Sequence, residues 1–192
     1  MSIARRLVPV IAALVAVPAI ASAQLTGSTV GLQYLFPTQG TLYQDFGTAV
    51  VGAGVEFPTL FGGDFSVDVG ASSMTASFHT GNSWCGPTNP LCPDPTITFN
   101  GLRLYDAGGT APAITSVTVN GATNMAGLNA SRISFDANNI YVDWKDLEFN
   151  EHTIVSLDIG TASTTTPEPA TLALLGGGLA VIGAAARRRR SA

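Results

Sequence analysis

The chain has 192 residues, room for one modest domain once its two ends are set aside. Only 11% of residues are charged while 46% are hydrophobic, a balance too apolar for a disordered chain and suited to a secreted or membrane-associated one. The net charge of −4 hides an asymmetry: residues 24–166 keep three bases, Arg103, Arg132 and Lys145, against twelve acids, and that net −9 argues against nucleic acid as a partner.

The first element in chain order is a targeting segment. Arg5 and Arg6 precede an apolar run from Leu7 to Ile20, and Ala21-Ser22-Ala23 supplies the small residues a signal peptidase requires. Residues 1–23 therefore read as a signal peptide, apolar enough for a helix and cut between Ala23 and Gln24. An uncleaved anchor is the weaker reading, because the run is short and interrupted by Pro9 and Pro18.

Residues 24–160 read as strands. Short runs alternate apolar and polar residues between Gly, Asn, Asp and Pro. "FSVDVG" puts Phe65, Val67 and Val69 on one face, and "TITF" does the same with Ile97 and Phe99. "SVTVNG" pairs Val117 with Val119 before an Asn-Gly turn at Asn120. "RISFDANNIYVDW" offers two strands, carrying Ile133 and Phe135, then Ile140, Val142 and Trp144, around a turn at Asp136 to Asn139. "HTIVSLDIG" closes the body. No stretch between Gln24 and Thr166 has helical periodicity, so the expected fold is all-β, an antiparallel sandwich or jelly-roll-like domain. "FPTQG" at Phe36 echoes "FPTLFGG" at Phe57, too briefly to establish a repeat.

Within "WCGPTNPLCPDP", Cys85 and Cys92 flank a proline-rich loop, and in an exported protein the leading reading is a disulfide between them. His79 is the one further ligand nearby, too few for zinc. There is no nucleophile elbow, no His-Glu-x-x-His pair and no phosphate loop. The acids Asp143, Asp146, Glu148 and Glu151 read as solvated surface rather than a hydrolytic pair. The expectation is a protein that is not an enzyme. Asp136, Asn138, Asn139 and Asp143 are weak calcium candidates, since they supply oxygens from one loop but lack EF-hand spacing. No other cofactor is expected. Trp84, Tyr105 and Tyr141 are candidate stacking surfaces for a polysaccharide.

The run "GTASTTT" ends the body at Gly160 and leaves residues 161–166 as an uncharged Thr/Ser-rich spacer. Pro167-Glu168-Pro169 is stiff and poor in amide donors, so it should stay extended and exposed. Residues 170–186 carry no charge; as a helix they span roughly 26 Å, slightly short of the ~30 Å hydrocarbon core. Arg187, Arg188, Arg189 and Arg190 follow, and positive charge stays on the cytoplasmic side. The reading is a C-terminal transmembrane helix with the body facing outward.

A Pro-Glu-Pro, a short apolar helix and an arginine cluster, in this order, resemble the PEP-CTERM sorting signal. The likeness covers residues 167–192, with Pro167, Glu168, Pro169 and Arg187 to Arg190 as its motif positions, and does not extend to the body. It implies recognition by exosortase, a multipass membrane enzyme, after export through the inner membrane. It further implies a final place at the cell-envelope surface or in an extracellular, exopolysaccharide-rich biofilm matrix. Two functions of different class follow: a non-enzymatic surface or matrix protein, or a polysaccharide-binding β module, with calcium assistance left open.

Overall fold

The computed structural model describes residues 24–162 together with 176 and 177. The expected signal helix at 1–23, the motif residues Pro167 to Pro169 and Arg187 to Arg190, and the expected span at 170–186, apart from the helical pair Gly176-Gly177, lie outside the described residues. Among the described residues no helix is long and apolar enough to cross a membrane.

The body is all-β and its sheets are antiparallel. Twelve strands follow one another: β1 (Thr29–Leu35), β2 (Leu42–Val50), β3 (Phe57–Leu60), β4 (Phe65–Gly70), β5 (Ser73–Phe78), β6 (Asn82–Ser83), β7 (Gly101–Asp106), β8 (Ile114–Val119), β9 (Ile133–Phe135), β10 (Asn139–Asp143), β11 (Glu148–Phe149) and β12 (Ile154–Thr161). A single 3-10 turn, Ala130–Arg132, is capped by the Asn129 side chain. One five-stranded sheet has the order β2-β1-β7-β10-β9, the other β3-β4-β5-β12-β8, and β11 pairs with β6 in a short ribbon.

The period-2 pattern explains the core. In β4, Phe65, Val67 and Val69 are fully buried while Asp68 between them is exposed. β5 supplies Met74, Ala76 and Phe78, and β12 supplies Val155, Leu157 and Ile159. From the other sheet come Val30 and Leu32 of β1, Leu102 and Leu104 of β7, and Ile140 and Val142 of β10. These side chains join in one hydrophobic cluster, so the two sheets share a core in a sandwich-like arrangement. Each fully buried aliphatic side chain there contributes about 1.5–3 kcal/mol.

Three sequence expectations shift. The "TITF" segment is a loop, although Ile97 and Phe99 are buried as a strand reading required. Its amides do not enter a ladder; Thr98 N and Phe99 N both donate to the carbonyl of Pro37, at 2.9 and 3.0 Å. Phe135 lies 42% exposed on the edge strand β9, where no further strand covers it. The body also runs past Gly160: Thr161 is the last residue of β12, and the Ala162 amide donates to Ala113 O at 2.8 Å.

Gly31 occupies the outward face of β1 for a steric reason. The Tyr105 ring, opposite it on β7, lies where a β-carbon would stand. Gly101 is equally confined, since a β-carbon there would overlap the Val142 carbonyl of β10.

Candidate functional site

An aromatic groove forms at one end of the body, beside the disulfide. Tyr34 comes from β1, Phe36 from the segment that follows it, Tyr43 from β2, Phe61 from the β3–β4 turn, and Ser83 and Trp84 from β6 and its exit; Cys85 and Asn100 complete the lining. The groove is open to solvent and encloses about 260 Å³. Its rings meet mostly edge to face, the arrangement their quadrupoles favour. Tyr34 stands 4.9 Å from Phe61 and 5.9 Å from Tyr43, and Phe36 stands 5.9 Å from Tyr43. Tyr43, 62% exposed, forms the outer rim.

The backbone at this end is held in an unusual shape. Phe61 has φ +49°, the left-handed region a bulky residue rarely enters. Its ring is fixed there by Tyr34, Phe46, Phe65 and Trp84. Asp146, at φ +64°, receives the Thr88 amide of the disulfide loop on its carboxylate at 2.9 Å and donates its own amide to Trp84 O at 3.0 Å. Two strained residues thus brace the chain on either side of Trp84.

The floor of the groove is polar. The Tyr34 hydroxyl donates to Asn100 Oδ1. The Asn100 side-chain amide donates to Cys85 O at 2.9 Å, and its backbone amide to Asp143 Oδ1 at 3.1 Å. Burial, helped by the neighbouring Tyr43 and Asp143, pushes the Tyr34 phenol far above its usual range, so it keeps its proton. Ser83 Oγ and Trp84 Nε1 are buried without a hydrogen-bond partner.

Of the three aromatic candidates named from sequence, Trp84 is in this groove and half-buried. It is not a free platform on an exposed loop: it stacks on the fully buried Trp144 at 5.4 Å with planes 7° apart. Tyr105 and Tyr141 lie elsewhere, on β7 and β10, on either side of Arg103 at 4.8 and 6.0 Å from the guanidinium. Arg103 donates to Asn139 Oδ1 at 2.9 Å and to Gln33 Oε1 at 3.1 Å, which ties β10, β7 and β1 together. Sequence reasoning missed Tyr34, Phe36, Tyr43 and Phe61. The repeated Phe-Pro-Thr is no signal for the groove, because Phe36 lines it while its counterpart Phe57 is buried in the core, and Phe61 follows the second copy.

Cys85 and Cys92 are disulfide-bonded, with Cα atoms 5.1 Å apart. Asn89 organises the loop between them: its Oδ1 accepts from Leu91 N and Cys92 N, and its amide donates to Trp84 O.

The calcium candidates divide. Asp136 and Asn139 meet at the β9–β10 turn, where the Asp136 carboxylate accepts from the Asn138 backbone N–H and the Asn139 amide at 2.8 Å. These donors, the backbone N–H first, hold the Asp136 carboxyl below its usual range. Asp143 is at the far end of β10, four residues or ~13 Å of strand from Asn139. There it pairs with Lys145 at 3.2 Å. Among the described residues no group of three or more His, Cys, Asp or Glu side chains converges to hold a metal. Glu148 and Glu151 are exposed, and the Asp146 carboxylate is engaged by the Thr88 amide. His79 and His152 line one open depression with Glu151; His79 Nε2 is 3.2 Å from Ser66 Oγ, and His152 Nε2 is 4.0 Å from Glu151.

No curated protein and no solved structure matches the chain. One family model does, described as the PEP-CTERM protein-sorting motif, over residues 165–190, a range that includes Pro167, Glu168, Pro169 and all four arginines. The chain therefore carries a PEP-CTERM protein-sorting motif after its β body, the mark of an exported protein sorted by exosortase.

Proposed function

We propose that this protein is a non-enzymatic β domain displayed at the envelope surface or in the extracellular matrix, delivered there by its two ends. The sorting motif at 165–190 carries the reading. Signal peptidase cutting after Ala23 and exosortase acting on the tail are the processing partners, and the inner membrane is a transient one. The acidic body, net −9 over residues 24–166, suits a soluble displayed domain that does not bind nucleic acid. No calcium or other cofactor is needed for this role.

Fractionation of a host with and without its exosortase tests it. With the enzyme, the protein should reach the envelope surface or the medium; without it, the protein should stay in the inner membrane with its arginine tail. Full-length, soluble protein in the cytosol of the complete host contradicts the proposal.

The aromatic groove favours a second reading, in which the displayed domain is also a polysaccharide-binding module. Sugar recognition uses aromatic faces beside a few fixed polar groups, and this groove combines five rings with Ser83 and Asn100.

A further inference from the structure

We infer that Asn120 is a self-modification site, where the Gly121 amide nitrogen displaces the side-chain amide as ammonia and leaves aspartate or isoaspartate. The sequence holds two Asn-Gly dipeptides, Asn100-Gly101 and Asn120-Gly121. Glycine obstructs ring closure least, since it has no β-carbon. The fold treats the two dipeptides in opposite ways.

Asn120 stands in a turn just past β8, where Thr123 N donates to its backbone carbonyl at 3.0 Å. Its Oδ1 accepts from Ala122 N at 2.8 Å. The ring closed by that hydrogen bond contains the Gly121 nitrogen, so the side-chain carbonyl is folded toward its attacker. The same Ala122 N–H faces the oxygen on which negative charge gathers during attack. Gly121 is exposed, and among the described residues its amide has no acceptor. No atom lies within 4 Å of the place where a β-carbon on Gly121 would stand. The cyclic imide, and the water that opens it, therefore find room. Asn100 is the opposite case. It is 3% exposed, its Oδ1 accepts from the Tyr34 hydroxyl, and its amide donates to Cys85 O. Gly101 is pressed against the Val142 carbonyl. Neither a new ring nor a water fits there.

The step needs no oxidant or reductant. The Gly121 nitrogen gives up its proton and bonds to Asn120 Cγ. The Cγ–Nδ2 bond breaks, and the nitrogen leaves as ammonia carrying that proton. Water then opens the imide at either carbonyl. One opening gives aspartate on the original backbone; the other gives isoaspartate, with the chain running through the side-chain carbon.

The product changes the sheet. Asn120 Nδ2 donates to both carboxylate oxygens of Asp158, at 2.8 and 2.9 Å. These bonds tie the end of β8, an outermost strand of its sheet, to β12. After the reaction a carboxylate replaces the donor opposite Asp158, and like charges facing each other across strands are destabilising. The reaction thus marks the age of a displayed body and loosens it at β8.

The whole exported protein, kept folded in warm, mildly alkaline buffer and peptide-mapped by mass spectrometry over time, tests the inference. Asn120 should convert at least tenfold faster than Asn100, and both aspartate and isoaspartate should appear. With the disulfide reduced and the chain held in guanidinium, the two sites should convert at similar rates. Gly121→Val should slow conversion at Asn120 tenfold or more, because a branched side chain crowds the nitrogen; far-UV circular dichroism checks its fold. Asn120→Asp should melt below the wild type at pH 7, and the gap should close near pH 3, where carboxylates take up protons. Equal rates at the two sites in the folded protein overturn the geometric argument. Aspartate without isoaspartate overturns the cyclic step. An unreactive Asn120 in the folded protein, alongside conversion in guanidinium, overturns the site. An Asn120→Asp melt equal to the wild type at pH 7 overturns the loosening of β8.

Discussion

Asp68 shows what a single side chain adds to the pH response. It is the outward residue of β4, and Glu56 lies beside it with both carboxylate oxygens engaged, one by Gly52 N and one by Val69 N. Partial burial first, then the Glu56 charge, raises the Asp68 carboxyl above its ordinary value. A carboxyl whose folded pKa is raised costs stability above its unfolded pKa, about 3.9, and costs nothing below it. Asp68→Asn should therefore stabilise the protein at pH 7 by roughly 0.5 kcal/mol, the scale of a solvent-screened surface pair, and the gain should vanish near pH 3. Thermal melts of both proteins at the two pH values check this. Asp94 and Asp136 act in the opposite sense. Hydrogen bonds from the Thr96 side chain and backbone lower Asp94, and the Asn138 and Asn139 donors lower Asp136. Their contributions are present at neutral pH and lost on acidification. The Asp136 turn was legible in the chain, whereas Glu56 and Asp68 stand twelve residues apart and meet only across the β3–β4 turn.

At the scale of elements, alternation was a sound guide wherever one face is buried. β4, β5 and β10 follow it residue by residue, while β12 also buries Ser156 between Val155 and Leu157. It failed where other forces set the backbone. β2 is exposed on nearly every residue, so no alternation marks it, and β1 hides its outward Gly31 beneath Tyr105. The groove was partly legible: Trp84 was singled out beside the cysteines, but its other walls arrive from β1, β2 and a strained turn, and only the folded topology brings these together. The disulfide loop follows Trp84 directly. Closing a loop of about eight residues contributes roughly 2–3 kcal/mol in the chain-entropy account. Cys92→Ser should lower the free energy of unfolding by that amount, read from denaturant midpoints. An unchanged midpoint would mean that the Asn89 and Asp146 hydrogen bonds hold the loop alone.

For the whole molecule, the sequence spoke most clearly at its extremities. Order and composition identify an address: Pro-Glu-Pro, an uncharged run and four arginines need no tertiary context to be recognised. The body is the reverse case. Its all-β class follows from local pattern, while its strand order, β2-β1-β7-β10-β9 facing β3-β4-β5-β12-β8, depends on pairings between distant segments such as β1 with β7 and β5 with β12. Both halves meet in one claim, that the ends are processed on the way out and the sandwich-like body is what remains. Mass spectrometry of the mature protein, isolated from a host that possesses exosortase, reads both new termini directly. The predicted species begins at Gln24 and lacks Arg187 to Arg190. A mature protein that still carries its four terminal arginines would contradict the claim.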